Sequence, residues 1–274
     1  MKTIYPVIVI YKTSIDEAAS YNTLIKPNGI EVFLVYDNSP ASYVQKQFDL
    51  PPEATYVRDV NNSGLSGAYN MGAALARQKG YKRVLLLDQD TVFAPDTWSE
   101  YQKHIDYPGI TAPIIITNQG CNFSPADITG LSLKAAAAAE PGEISLYDRA
   151  LANSGCCIPI SLYEKVGGYN EKVRLDFADF QFLIYVRKHF SKALLLACGF
   201  AEQDFSNDCK DCGSMLNRFT LYLDSAKYFD GGSFFLNFKH HYLVFRHTLS
   251  LTLRTHNLQF FSKYLKEYVF SVRK

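Results

Sequence analysis

Two aspartates stand directly after a buried-type strand, and their spacing suits metal coordination. The run Arg83–Leu87 leads into Asp88, Gln89 and Asp90. Side chains two residues apart in an extended chain point to the same side, so Asp88 and Asp90 can face one ligand. Hard oxygen ligands that leave room for phosphates favour Mg²⁺ or Mn²⁺. A solvated turn or helix cap is the competing interpretation, because a predicted helix begins soon afterwards, at Pro95. The position after a buried strand favours a ligand site.

The elements around this segment alternate between strand and helix. This rhythm predicts an α/β fold, a Rossmann-like and mostly parallel sheet flanked by helices. Ligands of such sheets bind at the carboxyl ends of the strands, near the point where strand order reverses. Several of these ends carry carboxylates, which disfavour a bare anion unless a divalent cation intervenes. The segments selected are Tyr11–Lys12, Asp37–Asn38, Asn61–Gly67, Asp88–Asp90 and the region around Asp204.

Other elements are predicted with less regular patterns. We expect a helix over 14–25, a strand over 108–116, short strands within 121–133 and a helix over 176–189. The alanine-rich segment 134–142 fits a helical turn or a loop equally well.

A glycine-rich segment, Asn62–Gly72, occupies a predicted strand-to-helix junction. It lacks the GxGxxG spacing of dinucleotide sites, which disfavours a nicotinamide enzyme. We expect the loop backbone to border a nucleotide. We also expect the small residues to let the helix approach the sheet; these are Gly64, Gly67, Ala68 and Gly72.

A second acidic pair, Asp176 and Asp179, stands at the start of the helix predicted over 176–189. The spacing of three puts both side chains on the first turn. Acids at this place are also typical of helix capping and are favoured by the helix dipole. Taken alone, the pair fits capping better than catalysis.

The ordered set of segments resembles family 2 glycosyltransferases of the GT-A fold. The subtype is similar to bacterial enzymes that build surface polysaccharides, including rhamnosyltransferases. The resemblance spans residues 4 to 206. Its segments are VIVIY, VYDNS, NSGLSGAYNMG, LLLDQDT, SGCCIP, VGGYNE, LDFADF and EQDFS.

The resemblance implies roles in binding a nucleotide-sugar donor, a UDP- or dTDP-sugar. Asp90 would bind the Mn²⁺ or Mg²⁺ that bridges the diphosphate, and Asp88 would lie near the ribose and the metal. The remaining implied contacts are Asp37 and Tyr11 with the base, Asn62 and Gly64 with the nucleoside, and Ser154 and Gly155 with the donor sugar.

The resemblance also implies that Asp179 is the base that deprotonates the acceptor hydroxyl, with Asp176 as a helper or cap. An inverting transfer needs in-line attack on the anomeric carbon while the nucleoside diphosphate leaves. The metal stabilises the charge that develops on the diphosphate, so one carboxylate base suffices. This chemistry favours a catalytic Asp179.

Two positions depart from the family pattern. Lys12 stands where relatives usually have Asn, and Gln203 precedes Asp204 where many have His. Gln is a weaker metal ligand than His, so we expect either that Asp204 compensates or that the metal site is less complete. Cys209 and Cys212 have metal-ligand spacing, but no second such pair exists, and reduced thiols are expected.

The net charge of +1 conceals a basic tail. Residues 231–274 hold seven Lys or Arg, four His and one acidic residue, whereas residues 1–230 hold 21 basic and 26 acidic groups. We predict a catalytic domain over 1–213 and a helical, aromatic and basic appendage over 214–274. The appendage fits packing on the catalytic domain, a peripheral contact with anionic lipid, or a homo-oligomer contact.

The predicted protein is a cytoplasmic glycosyltransferase, peripheral to the inner face of the cell membrane, that acts on a lipid-linked saccharide. No apolar run reaches the ~20 residues of a membrane-spanning helix, and the charge balance does not suggest nucleic-acid binding. A sugar-nucleotidyltransferase is one alternative, although the first 30 residues lack its Gly-rich basic loop. A catalytically degenerate sugar-nucleotide-binding partner protein is the other.

Overall fold

A computed structural model describes residues 2–129, 132–135, 139–203 and 212–271. Its centre is an eight-stranded sheet in which Ile4–Ile10 pairs in parallel with both Leu34–Asp37 and Arg83–Asp88. The strands, in order across the sheet, are Gly142–Ser145 (β11), Lys192–Leu195 (β14), Ile110–Ala112 (β6), Cys157–Pro159 (β13), Arg83–Asp88 (β4), Ile4–Ile10 (β1), Leu34–Asp37 (β2) and Thr55–Arg58 (β3).

The predicted α/β class, with a large sheet flanked by helices, is confirmed. The β2–β3 and β14–β6 pairs are also parallel, while β13 runs antiparallel to β4 and β6, and β11 runs antiparallel to β14. The helices are Gly64–Gln78 (α1), Thr97–Lys103 (α2), Ile160–Lys165 (α3), Ala178–Val186 (α4), Cys212–Lys227 (α5), Phe234–Thr255 (α6) and Gln259–Lys263 (α7).

Two small sheets flank the main one. The first contains two short strands of the predicted 121–133 region together with a later strand, and the remaining short strand of that region belongs to the second sheet. The second brings the segment before Asp204 against the segment after Asp90. In order across each sheet, the strands are Ser132–Ala135 (β10), Ala126–Thr129 (β9) and Arg149–Ala150 (β12), then Thr91–Val92 (β5), Ala201–Gln203 (β15), Ile115–Thr117 (β7) and Asn122–Ser124 (β8).

The central strands are buried on both faces, as their apolar sequences require. Along β1, Tyr5 and Val7 enter one apolar cluster while Ile8 and Ile10 enter another. Helix α1 covers the first face, and a Cβ on its Gly72 would lie 2.3 Å from Val7 Cγ2. The predicted close approach of this helix to the sheet is therefore confirmed.

Three predicted elements differ in the structure. The helix predicted over 14–25 is a 3₁₀ turn, Ile15–Glu17, followed by a π-helical turn, Tyr21–Ile25. The Ala19 N–H between them donates to the Gln89 carbonyl (2.7 Å), a tertiary bond that competes with a continuous helix. The strand predicted over 108–116 divides into β6 and β7 around Pro113, which has no N–H to donate to a ladder.

The helix predicted over 176–189 begins later and ends earlier, as α4. Phe177, the residue before it, has a left-handed backbone (φ 68°), so helical geometry starts at Ala178. The alanine-rich segment 134–142, for which a helical turn and a loop were both predicted, begins in β10 and ends in β11. Its residues 136–138 lie outside the described residues.

The C-terminal helices form a third apolar cluster with Phe219, Leu223 and Val244 at its centre. Phe177 packs against both this cluster and the main one, so the helices are attached beside α4. The predicted domain boundary between residues 213 and 214 falls in the first turn of α5. None of the helices in the described residues is long and apolar enough to cross a membrane.

Candidate active site

The carboxyl ends of three neighbouring strands bring the predicted ligand segments to one edge of the sheet. Ile10 of β1 lies opposite Asp37 of β2, and Val9 lies opposite Asp88 of β4. The Tyr11 N–H donates to Gln89 Oε1 (2.7 Å), which joins the end of β1 to the turn after β4. The end of β1 therefore lies beside the Asp88–Asp90 turn, and the Tyr11 side chain is half-exposed there.

The turn that carries Asp88 and Asp90 is braced from two directions. The Asp88 N–H donates to Ser154 Oγ (3.1 Å), and Ser154 Oγ shares a hydrogen bond with Thr91 Oγ1 (2.7 Å). From α1, the buried Tyr69 hydroxyl donates to Asp88 Oδ1 (2.8 Å). Ser154 is itself buried, so its hydroxyl supports the turn from within the protein.

Gly155 occupies a place that a side chain cannot share. Its φ is +80°, and a Cβ would lie 2.7 Å from Pro113 Cδ. Its N–H donates to the Leu86 carbonyl (2.7 Å), and its carbonyl accepts from the Tyr101 hydroxyl (2.5 Å). These bonds hold the Ser154–Gly155 turn against the end of β4.

Asp37 is fully buried and organises the loop after β2. Its carboxylate accepts hydrogen bonds from Ser39 N–H (2.8 Å), the Tyr56 hydroxyl (2.7 Å) and Gln45 Nε2 (3.3 Å). Burial, together with the adjacent Asp37 charge, raises the pKa of Tyr56 to about 12. The Asp37 oxygens are thus largely engaged by the protein, and the carboxylate shapes the site through this loop.

Asp59, which the sequence analysis missed, plays the matching part after β3. Its carboxylate accepts from Ser63 N–H (2.7 Å), Asn61 N–H (3.0 Å) and the Tyr36 hydroxyl (3.2 Å). Burial alone would raise the pKa of Asp59, but the bonds from Ser63 and Asn61 hold it below its usual value. The available signal was a carboxylate two residues before the predicted ligand segment Asn61–Gly67. Asn62, with φ 51°, lies in the turn that Asp59 holds.

Gly64 joins the first turn of α1 to the segment before α4. The Leu65 N–H donates to the Arg174 carbonyl (2.8 Å), and Ser66 Oγ donates to the Val173 carbonyl (2.6 Å). A Cβ on Gly64 (φ +83°) would lie 2.2 Å from Arg174 O. The loop predicted to border a nucleoside is therefore held by the chain that leads to Asp176.

Asn70 joins the glycine-rich helix to the segment after α3. Its Nδ2 donates to the Tyr169 carbonyl (2.9 Å), while its Oδ1 accepts from Tyr169 N–H (2.9 Å) and the Tyr163 hydroxyl (2.8 Å). A Cβ on Gly168 would lie 2.6 Å from the same oxygen. Two motifs separated by about a hundred residues thus form one packed unit.

Asp179 lies in the first turn of α4 and is partly buried. Burial, followed by the nearby charge of Asp176, raises the pKa of Asp179 to about 6. The pKa of the buried Cys156 thiol is raised by burial and also by the charges of Asp179 and Asp88. The structure thus brings the carboxylates of α4 and β4 within electrostatic range of one buried thiol.

Asp176 does not cap α4, so that interpretation is wrong. The N-cap residue is Phe177, and no side chain accepts a capping bond there. Asp176 instead forms a two-pronged ion pair with Arg218 of α5, with Nη1–Oδ2 at 2.5 Å and Nη2–Oδ1 at 2.8 Å. No sequence pattern points to Arg218, since the pairing depends on how the C-terminal helices pack.

The structure describes some, but not all, of the residues that the sequence predicts for a divalent-cation site. Among the described residues, no group of three or more His, Cys, Asp or Glu side chains could hold a metal. Asp88 and Asp90 nonetheless fit Mg²⁺ or Mn²⁺, which often take one or two carboxylates and complete their shell with substrate phosphates and water. The backbone of Gln203 lies opposite Thr91, next to Asp90. The Gln203 side chain, Asp204, Cys209 and the Cys212 side chain lie outside the described residues.

Comparison with known proteins confirms the predicted resemblance. Residues 12–143 match the model of glycosyl transferase family 2. That range contains Asp37, Asn62 and the Asp88–Asp90 turn, and it ends before Ser154. The dTDP-rhamnosyl transferase RfbF of Shigella flexneri is 21% identical over 179 residues, which cover 64% of this chain and 60% of that protein. This chain thus spans about three fifths of the length of that relative.

Solved structures share the fold. GalNAc-T7 with UDP, GalNAc and Mn²⁺ has a TM-score of 0.56 at 12% identity, over 93% of this chain and 58% of that one. S. aureus TarS 1-349 has a TM-score of 0.52 at 12% identity, over 84% and 66% of the two chains. Its UDP complex has a TM-score of 0.52 at 11% identity, over 97% and 72%. These likenesses establish the GT-A fold.

Proposed function

We propose that this chain, a GT-A protein with a family 2 glycosyltransferase segment, transfers a sugar from a nucleoside-diphosphate sugar to a saccharide hydroxyl with inversion. The observation that carries the proposal is the meeting of two kinds of carboxylate at one sheet edge. Asp88 and Asp90 lie in a braced turn at the end of β4, and Asp179 of α4 lies within electrostatic range of the same buried thiol as Asp88. The first pair suits the diphosphate, and the second carboxylate suits the acceptor.

On the donor side, Asp90 and Asp88 would hold Mn²⁺ or Mg²⁺. The bound ion would supply positive charge that stabilises the leaving diphosphate. Tyr69 and Ser154 orient the turn through their bonds to Asp88. The base and nucleoside would lie against Tyr11, Asn62 and Gly64, and Asp37 would shape their pocket through Ser39 and Tyr56. The name of the Shigella relative supports a dTDP-sugar, with rhamnose as the first sugar to test, and the TarS complex supports UDP as the second nucleotide.

On the acceptor side, Asp179 would remove the hydroxyl proton as the oxygen attacks the anomeric carbon. A base works best when its pKa lies near the working pH, and burial brings Asp179 toward that range. Asp176 would act as a positioning residue, because Arg218 holds it while its charge favours the proton on Asp179. Ser154 and Gly155 would border the donor sugar from the turn beneath.

The acceptor we propose is a lipid-linked saccharide used in surface polysaccharide synthesis. The protein would bind it at the cytoplasmic face of the membrane. The aromatic and basic C-terminal helix supports this choice. A nucleotidyltransferase fits less well because the first strand is not followed by a basic glycine-rich loop. A degenerate binding partner would share the donor site and bind the nucleotide, but would show no turnover even in the wild-type protein.

The test is Asp179→Asn compared with wild type, measured as release of nucleoside diphosphate from the donor. We expect release to fall by about 10²- to 10⁴-fold, because the variant lacks the base. Nucleotide affinity in the presence of Mn²⁺, measured by calorimetry, should stay near wild type. The wild-type rate should fall about tenfold per pH unit below about pH 6, since protonated Asp179 cannot accept the proton.

Asp148→Asn is the matched control, since this exposed aspartate lies in the turn before β12. It should leave release unchanged. Undiminished release by Asp179→Asn would contradict the assignment of the base. Retained nucleotide binding with no turnover in wild type, across donors and acceptors, would favour the degenerate partner.

A further inference from the structure

Helix α6 exposes a continuous apolar face. Phe238 and Tyr242, at its centre, are 63% and 57% exposed, and Phe234 at its start is 88% exposed. Large apolar side chains are seldom left so exposed in a row along a soluble protein's surface. The residues of this face are Phe234, Phe235, Phe238, Tyr242, Phe245, Leu249 and Leu253.

The spacing of these residues makes them one stripe. Successive members are mostly three or four residues apart, which keeps them on one side of an α-helix. From Phe234 to Leu253 the stripe is about 28 Å long at 1.5 Å per residue. The opposite side of α6 is packed, with His240, Val244 and Thr248 buried against the other C-terminal helices. Packing inside the described structure therefore accounts for only one of the two apolar faces.

The charges beside the stripe have one sign. Lys239 and Arg246 are seven residues apart and thus lie on the same flank, and Lys239 Nζ lies 4.3 Å from the centre of the Phe235 ring. Arg254 and Lys266 are also exposed in the C-terminal segment. Glu267 is the one acidic residue of segment 231–271, and it pairs with Lys263. The surface around the stripe is therefore basic.

We infer that this face of α6 docks onto the surface of an anionic lipid bilayer. Aromatic rings suit the boundary between headgroups and acyl chains, and flanking Lys and Arg bind anionic headgroups. A second copy of the chain fits less well, because a symmetric contact would bring Lys239 and Arg246 of both copies together without acidic partners on this face. The helix lies on the surface, since it is not apolar enough to cross a membrane.

The attachment of α6 links this surface to the candidate base. His240 Nε2 donates to the Ala226 carbonyl (2.9 Å), and its ring packs edge-on against Phe177 at 4.8 Å. Phe177 directly precedes α4, whose first turn carries Asp179. Docking would therefore hold the α4 end of the site near the bilayer. This consequence rests on the proposed function, where the lipid-linked acceptor lies in that bilayer, whereas the docking itself does not.

The experiment is cosedimentation of the full chain with sucrose-loaded vesicles, without nucleotide. One vesicle set is phosphatidylcholine alone, and the other contains 30% phosphatidylglycerol, about the anionic fraction needed to attract basic segments. Wild type should bind the anionic vesicles at least about tenfold more tightly, and 0.5 M salt, roughly a 4 Å Debye length, should weaken this binding. Phe238→Glu with Tyr242→Glu should abolish binding. Lys239→Glu with Arg246→Glu should weaken it by about 30-fold or more.

Val44→Glu is the control, since Val44 is 86% exposed and lies outside α6. It should bind as wild type does, and all variants should keep the wild-type circular dichroism and melting temperature. Absence of wild-type binding, or equal binding by the Phe238/Tyr242 variant, would overturn the inference. So would a dimer in sedimentation velocity that this variant dissociates, with no vesicle binding, because the second copy would then be the occupant.

The two proposals fail separately. Loss of vesicle binding with intact nucleoside diphosphate release would overturn docking alone. Full vesicle binding with release that does not depend on Asp179 would overturn the proposed base alone.

Discussion

Carboxylates at the active edge have different surroundings, and these surroundings separate their functions. Asp37 and Asp59 accept several hydrogen bonds from the loops that follow β2 and β3, so they hold those loops in place. Asp88 is oriented by Tyr69 in a braced turn. Asp179 is partly buried, and its raised pKa suits proton transfer. Under the proposed function, the aspartate side chain would thus serve three purposes within one site.

Asp179 should lower the stability of the folded protein at neutral pH. Its pKa is raised from 3.8 to about 6, so the folded state binds more protons than the unfolded chain between those values. The free energy of unfolding therefore falls as pH rises through this window. Asp179→Asn should be more stable than wild type by about 1–3 kcal/mol at pH 7.5, with the difference vanishing near pH 4.

Urea unfolding at both pH values checks this expectation, with Asp148→Asn as the exposed control. A variant that is no more stable than wild type at pH 7.5 would show that Asp179 is well solvated. Such a result would remove the physical basis for its raised pKa.

Residue-level prediction succeeded where a side chain follows directly from a strand end. Asp88 and Asp37 were placed by that rule, and the structure puts both at the predicted edge. Arg218 could not be found in the same way, because its partner Asp176 is 42 residues away and the pairing depends on tertiary packing. The role of Tyr69 could not be predicted for a related reason. Its helical position indicates burial, but not the hydrogen bond to Asp88.

At the scale of elements, the start of α1 depends on one glycine. Gly64 and Gly80 both have positive φ, +83° and +76°, but only Gly64 has an atom in the way of a Cβ. Gly80→Ala should cost about 1 kcal/mol in the free energy of unfolding, from the left-handed backbone alone. Gly64→Ala should cost about 3 kcal/mol or more, because Arg174 must also move.

Equilibrium urea denaturation gives the free energy of unfolding of Gly64→Ala and Gly80→Ala. Both variants carry the cost of a left-handed backbone, so the difference between them measures the contact of the new Cβ with Arg174. Gly64→Ala should also weaken nucleotide binding, as the loop before α1 shifts with Arg174. Equal losses of stability in the two variants would show that the Arg174 segment yields freely and does not hold the loop.

Element prediction succeeded for the parallel strands and failed where a local feature interrupts a pattern. The apolar, β-rich runs 4–11, 31–36 and 83–87 indicate strands in the sequence, and the structure has β1, β2 and β4 there. Pro113 divides one predicted strand, and the left-handed Phe177 delays α4 until Ala178. The proline was visible in the sequence, but the conformation of Phe177 depends on aromatic packing with Tyr222 and Phe229, which are far along the chain.

At the scale of the whole molecule, the C-terminal helices are joined to the site. Arg218 of α5 holds Asp176, and His240 of α6 packs against Phe177. Both contacts converge on the segment before Asp179. The uneven charge seen in the sequence follows the same division, with carboxylates at the sheet edge and bases along α6. The domain boundary predicted at 213/214 stays a prediction, and the site would depend on contacts that cross it.

The most direct measurement is the melting temperature of the full chain with UDP, dTDP or GDP, each with and without Mn²⁺. We predict that UDP or dTDP stabilises the protein only when Mn²⁺ is present. The expected rise is about 5–10 °C at a hundredfold excess over the dissociation constant. Asp90→Asn should lose this rise, while Asp148→Asn should keep it. No response to any of the nucleotides, or a response that is the same in Asp90→Asn, would contradict a metal-bridged diphosphate at the Asp88–Asp90 turn.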